Sequence, residues 1–243
     1  MIRFFVSCQE MHPDFMILTG ENAAHAKVLR VKCGEQVIVC DGAGRECICT
    51  VSDVSQDRIS LVVNKCQNTD TEAQLSVSLY VAFPKADKLE HVIQKATELG
   101  AFEIVAFPSG RSVSRPDDKS LRKKLDRWKK IAASAAEQSG RGKIPEVILL
   151  SGIQEAVERA AKADCSILFY ENEEATTLRM ALDQGMGNSV SLMTGPEGGL
   201  EEKEVELARS AGMHICTLGR RILRCETAPL CALSAVMFAS GEF

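Results

Sequence analysis

No Cys-x-x-Cys pair occurs anywhere in this 243-residue chain, although it carries ten cysteines. Their positions (8, 33, 40, 47, 49, 66, 165, 216, 225 and 231) give no structural zinc spacing, and the expectation is reduced thiols acting mainly as small apolar side chains. No apolar run approaches the roughly 18 residues of a membrane span. Segment 1–10 also lacks the basic flank and apolar core of a secretory leader. Membrane insertion and secretion are therefore disfavoured, and a cytoplasmic location is expected. The four histidines (12, 25, 91 and 214) show no His-x-x-x-His or Cys partnership, so no metal site is expected. Gly42-x-Gly44 fails to continue to a third glycine because Cys47 stands there, and no Walker loop is present. Internal repeats and low-complexity tracts are missing too.

What remains is ordinary globular material, with hydrophobic residues at 45% and charged residues at 26%. The length suffices for one large domain or two modest ones without staples. A net charge of −4 argues against a nucleic-acid partner only on average. Between residues 111 and 143 there are eleven Lys or Arg against four acids, a local +7. Such a segment is either a solvated helix face or a phosphate-tracking patch, and composition does not choose between them.

Residues 1–72 alternate in short β-like runs at 3–6, 36–40, 47–54 and 59–63, three of them separated by Asp41-Gly42-Ala43-Gly44 and Ser55-Gln56-Asp57. Glycine-containing connections between period-two runs signal hairpins, so a small β-barrel holding one helix at 23–30 is expected. After the polar stretch Asn68-Thr69-Asp70-Thr71-Glu72 the pattern becomes an α/β alternation across 73–243. Strands are expected at 75–82, 103–107, 146–149, 165–170, 189–193 and 214–218, with helices between. Leu89, Val92, Ile93, Ala96 and Leu99 recur at helical spacing, and Gly100 supplies the C-terminal cap. A second helix at 117–138 buries Leu121, Leu125, Trp128, Ile131 and Ala135 while its basic residues face outward.

Two segments carry the chemistry. Thr194-Gly195-Pro196-Glu197-Gly198-Gly199 follows an apolar strand and leaves the backbone nearly bare, at the carboxyl end of a parallel strand, where open α/β sheets bind ligands. Alone, it reads equally well as a tight turn. Leu218-Gly219-Arg220-Arg221-Ile222-Leu223-Arg224-Cys225-Glu226-Thr227 places three arginines and a glutamate in an apolar stretch, before a helix that Thr227 can cap and whose first turn suits Pro229. Arg224, beside Ile222 and Leu223, is expected to have a partner rather than open solvent.

Together with Lys95-Ala96-Thr97-Glu98-Leu99-Gly100 and Glu137-Gln138-Ser139-x-Arg141, these segments resemble the RsmE family, the 16S ribosomal RNA uridine N3-methyltransferases of the SPOUT superfamily. The resemblance covers essentially the whole chain; Cys225 departs from it, standing where threonine or serine is expected. It implies a PUA-like RNA-binding barrel over 1–72 and a SPOUT methyltransferase domain over 73–243 whose end is threaded into a trefoil knot. It implies S-adenosyl-L-methionine as cofactor, bound by Phe169, Tyr170 and Glu171, by Thr194, Gly195, Gly198 and Gly199, and by Leu218, Gly219, Ile222 and Leu223. It implies a homodimer and, as partner, 16S ribosomal RNA or the small ribosomal subunit.

Methylating uridine N3 requires alignment and a change of protonation. Arg221 and Arg224 are the candidates to stabilise charge on the uracil, and Glu226 or Glu197 the candidates for acid/base work. Arg111, Arg115, Lys123, Lys124 and Arg141 are the candidates for phosphate contact. A 2′-O-ribose methyltransferase of the same superfamily and a noncatalytic RNA-binding protein are the alternatives.

Overall fold

The computed structural model describes residues 1–112 and 118–243. The chain divides into two compact units, one of residues 1–72 with 133–144 and one of residues 73–132 with 145–243.

The first unit is a curled five-stranded sheet. Its strands are β1 (Ile2–Phe5), β2 (Phe15–Thr19), β3 (Gln36–Cys40), β4 (Arg45–Val54) and β5 (Arg58–Asn68), in the order β1-β3-β4-β5-β2. Strand β1 lies parallel to β3 and the other ladders are antiparallel. The β3–β4 turn closes where Asp41 Oδ1 accepts the amides of Ala43 at 2.8 Å and Arg45 at 3.0 Å, with Gly42 and Gly44 at positive φ. Two register shifts in the long β4–β5 ladder bend it, as bulges do. Helix α1 (Gly20–Val28) puts Ala23 and Ala26 into a core built on Phe4, Met16, Leu18, Val39 and Leu61. Strand β2 was not foreseen. Phe15 and Ile17 are exposed while Met16 and Leu18 are buried, so an apolar run hides the two-residue period that marks a strand.

Cys47 and Cys66 face each other across the β4–β5 ladder and form a disulfide, which corrects the expectation of reduced thiols at these two positions. They are nineteen residues apart, and only strand pairing brings them together. Cys40 is buried and accepts a hydrogen bond from Arg3, whose guanidinium also pairs with buried Glu46 at 2.8 Å.

The second unit is a fully parallel six-stranded sheet of β6 (Ser76–Ala82), β7 (Glu103–Phe107), β8 (Glu146–Leu149), β9 (Cys165–Phe169), β10 (Ser189–Thr194) and β11 (His214–Cys216), ordered β11-β9-β10-β6-β7-β8. Strands β7 and β9 are buried along their whole length, as helices on both faces demand. The helices are α2 (Lys88–Glu98), α3 (Asp118–Ser139), α4 (Ile153–Ala160), α5 (Leu178–Leu182), α6 (Glu202–Ser210) and α7 (Thr227–Ser240). Leu89, Val92, Ile93 and Ala96 form the buried stripe of α2, and Gly100 takes φ 90 just past its end. On α3, Trp128 and Ala135 are buried while Arg122, Lys123, Lys129 and Lys130 are exposed. Thr227 is not the cap of α7. Glu226 occupies that position without a side-chain cap bond, and the Arg224 carbonyl accepts the amides of Thr227 and Ala228.

Arg141 is buried in the first unit, pairing with Glu72 at 2.7 Å, and Glu72 also accepts the amides of Gly142 at 3.0 Å and Lys143 at 3.1 Å. A phosphate-contacting Arg141 is therefore corrected, because its charge is consumed in holding segment 133–144 to the end of segment 1–72. Burial pulls the Glu72 carboxyl upward, but the Arg141 guanidinium and the two amides bring it below the ordinary value. Replacing Arg141 by Met strands a carboxylate in a half-buried site. We expect a loss of about 3–5 kcal/mol in urea denaturation; a loss below about 1 kcal/mol would show the pair to be merely solvated.

Candidate active site

Strand β10 lies between β9 and β6, and the parallel registers set Leu168 beside Met193 and Thr194 beside Val81, while Cys216 on β11 lies beside Phe169. The carboxyl ends of four strands thus stop at nearly one level, where a doubly wound sheet opens its ligand crevice. A cavity of about 530 Å³ lies there, within the range of small-molecule sites.

Each sequence-predicted cofactor residue lines this cavity. Phe169, Tyr170 and Glu171 come from the end of β9, and Thr194, Gly195, Gly198 and Gly199 from the end of β10. Leu218, Gly219, Ile222 and Leu223 come from the segment after β11. Gly199 sits at φ 69, and a Cβ there would collide with the Glu171 carboxylate. The positive φ is what favours glycine here, since the exposed Glu171 side chain can swing aside. A Cβ on Gly195 would press on Leu200 Cγ at 3.0 Å, and one on Gly198 on Arg111 Cβ at 3.2 Å, so the loop is packed from behind and bare toward the cavity. Thr194 is buried, and its hydroxyl has no hydrogen-bond partner among the described residues. An orphaned buried hydroxyl on a cavity wall is poised for a ligand atom.

Arg221 and Arg224 also line the cavity. Both are exposed, and neither guanidinium has a partner among the described residues, so the expected partner of Arg224 is not found there. The segment turns through backbone bonds at the start of α7 and leaves the guanidiniums in solvent. Ile222, 86% exposed, lies on the same cavity wall.

The two carboxylates are differently placed from what acid/base work requires. Glu197 accepts the Lys85 amide at 3.0 Å and the Lys88 ammonium at 2.9 Å. Lys88 also reaches Glu226 at 3.2 Å, and Glu226 accepts the Cys225 thiol at 3.2 Å. Burial raises the Glu197 carboxyl, but Lys88 and the amides outweigh it and bring it down to about 2. Glu226 is lowered too, by backbone bonding and by Cys225. Burial and then Glu226 push the Cys225 thiol up to about 12. Both carboxylates are thus held in the charged form, which disfavours proton uptake by either. Sequence reasoning missed Lys88 altogether. One signal was present: a lysine in the first turn of a helix opposes the macrodipole and needs acidic company.

The other candidates divide. Arg111 is exposed, and its guanidinium donates to the Gly198 carbonyl at 3.0 Å, behind the glycine loop. Lys123 is exposed and Lys124 half-buried on α3. Arg115 lies outside the described residues. The Lys95–Gly100 segment is a capped helix end, with Lys95 paired to Glu98 and Thr97 donating to the Ile93 carbonyl; Glu137 pairs with His25 in the first unit. None of the described residues among these lines the cavity. Among the described residues no group of His, Cys, Asp and Glu is placed to hold a metal, and no helix is long and apolar enough to cross a membrane.

A family model described as an RNA methyltransferase domain matches residues 71–237, and one described as an RNA methyltransferase PUA domain matches residues 18–64. The chain is 39% identical over 248 residues to ribosomal RNA small subunit methyltransferase E of Bacillus subtilis, covering 98% of this chain and 96% of that one. It is 32% identical to the Mycobacterium bovis protein of the same name, covering 90% and 85%. The crystal structure of the Neisseria gonorrhoeae protein of that name, bound to S-adenosyl methionine, superposes with a TM-score of 0.90 at 31% identity and 98% coverage of both chains.

Glu197 makes acid stability a reporter of the site. Its carboxyl is depressed in the fold from 4.5 to about 2, so its contribution is whole above the unfolded value and is lost as pH falls through the folded one. The stability gap between the protein and Glu197→Gln should shrink between about pH 5 and about pH 2.5 in denaturant titrations. A gap independent of pH would mean that the carboxylate is not held ionised.

Proposed function

The chain belongs to the RNA methyltransferase family, and from that membership we propose that it methylates N3 of a uridine in 16S ribosomal RNA with S-adenosylmethionine as methyl donor. The observation that carries the reading is the partnerless buried hydroxyl of Thr194 on the wall of a cavity that the bare Gly198-Gly199 backbone also lines. These residues fit the cofactor: the Thr194 hydroxyl offers a hydrogen bond, Ile222 and Leu223 an apolar surface for a base, and Glu171 anionic company for a sulfonium. That group, when bound, supplies a methyl on positively charged sulfur.

The chain's own residues do the rest. Uridine N3 is protonated at neutral pH and faces its pairing partner, so the base must be unpaired or flipped to enter the cavity. Arg221 and Arg224, free at the cavity wall, stabilise the uracil as N3 loses its proton. Glu197 and Glu226 are occupied by Lys88, and the Cys225 thiol stays protonated, so the N3 proton leaves to water. Exposed Arg122, Lys123, Lys129 and Lys130, with half-buried Lys124, form the face for phosphates, and the first unit, read as the PUA-like domain, supplies further RNA contact.

We read the end of the chain as a trefoil knot. That reading rests on the family likeness, and it is supported by α7 packing on α2, β6 and β10 although it follows the edge strand β11. We read the assembly as a homodimer, because α7 is apolar all round and leaves Phe238 70% exposed for a second copy to cover. A cytoplasmic location follows from a ribosomal substrate.

Methyl transfer from labelled S-adenosylmethionine to small ribosomal subunits lacking the modification, with the product nucleoside identified by mass, tests the reading. The expected product is N3-methyluridine; a 2′-O-methyl nucleoside would replace this reading with ribose methylation, and no transfer with no cofactor binding would leave an RNA-binding protein.

Arg224→Ala should lower the single-turnover rate by roughly 100- to 1,000-fold with cofactor and RNA saturating. Transfer at the unaltered rate by a folded variant would remove Arg224 from the chemistry.

A further inference from the structure

Lys88 is the first residue of α2, where the helix macrodipole disfavours a cation. The loop before it is also strained, with Ala86 at φ 55, a conformation that residues with side chains rarely adopt. Helix packing explains neither feature. Both make sense together with what the loop presents: the Lys85 amide and the Lys88 ammonium converge on the Glu197 carboxylate, and the same ammonium reaches Glu226 at 3.2 Å and Cys225 Sγ at 3.6 Å. Glu197 belongs to the glycine-rich loop after β10, whereas Cys225 and Glu226 close the arginine-bearing segment after β11. One nitrogen therefore joins two of the loops that line the cavity, from a third element, and Lys88 itself lines it.

We propose that Lys88 is a positioning residue for methyl transfer, a clasp that fixes the glycine-rich loop against the arginine-bearing segment and so sets the shape of the cofactor cavity. The proposal rests on the cofactor reading above. Two carboxylates within hydrogen-bonding distance of a single ammonium repel each other when it is removed, and the loops that carry them move apart. The charged and titratable groups around the clasp are Lys88 on α2, Glu197 after β10, and Cys225 and Glu226 before α7, with Arg221 and Arg224 exposed along the same segment. Without the ammonium, protonating one of the two carboxylates relieves their repulsion. The lysine holds Glu197 ionised, so the intact protein has no use for that proton near neutrality.

The test compares the full-length protein with Lys88→Met and Lys88→Arg. S-adenosylmethionine affinity is measured by calorimetry from about pH 8 to about pH 5, and hydrogen exchange of the Lys85 amide is followed in the unliganded protein. Lys88→Met should weaken cofactor binding about 10- to 100-fold at pH 8, in line with misplacement of a binding loop. Its defect should shrink as pH falls, and its Lys85 amide should exchange faster. Lys88→Arg should recover most of the affinity and the flat pH response. Should Lys88→Met not fold, Glu226→Gln removes one arm of the clasp and is expected to show the weaker binding and faster exchange. Affinity, pH response and Lys85 exchange all unchanged in a folded variant would overturn the proposal. If the unmutated protein binds no S-adenosylmethionine, the cofactor reading fails, while Lys85 exchange still decides whether the clasp exists.

Discussion

Strand β10 is last but one in the chain yet third in the sheet, inserted between β9 and β6 with parallel ladders on both sides. A central parallel strand cannot slip by one residue without turning its buried side chains to the wrong face, so its register is fixed by both neighbours. The end of β10 fixes Thr194 and, through it, where the glycine loop begins. The β9, β11 and α2 loops inherit their positions from the same ladders. The cavity is thus a consequence of sheet register, and its lining is supplied by whatever each loop carries as it leaves its strand.

Charge then refines what register has placed. Two carboxylates are locked by one ammonium, while two arginines a few residues away are left in solvent. A locked carboxylate is a strut, and a free guanidinium at a cavity wall is available to a substrate. Residue type alone suggested the opposite for the glutamates, since carboxylates near a reacting nitrogen are natural proton acceptors. Hydrogen bonding to the charged form is what removes that capacity. The same logic applies in the first unit, where Arg141 in a basic stretch resembles a phosphate ligand until Glu72 and the neighbouring amides are seen to consume it.

Legibility followed periodicity. Strands β3, β7 and β8 were read from the sequence with their observed bounds, and α2 to within a residue, because each carries a clear apolar pattern or a glycine stop. Strand β2 was missed because its exposed positions, Phe15 and Ile17, are apolar as well. In the site, the glycine loop and the arginine segment were legible because three glycines in five residues and three arginines in an apolar run are both anomalies that folding alone does not require. The partners of Lys88 were illegible because they lie 109 residues away at Glu197 and farther still at Glu226. The Cys47–Cys66 pair was hidden for the same reason: a cross-strand partner is defined by register, which cysteine spacing does not encode.

The sequence by itself determined the class of the second unit, the order of its strands and helices along the chain, and the two loops whose composition demanded a use. Those properties are local, set by side-chain period, backbone freedom at glycine and the cost of isolated charge among apolar neighbours. Tertiary structure alone decided the order of the strands in the sheet, the loss of Arg141 to an internal pair and the joining of Glu197 and Glu226 through Lys88. Each of these depends on which distant segments share a register or a hydrogen bond, and that free energy exists only once the chain has closed on itself.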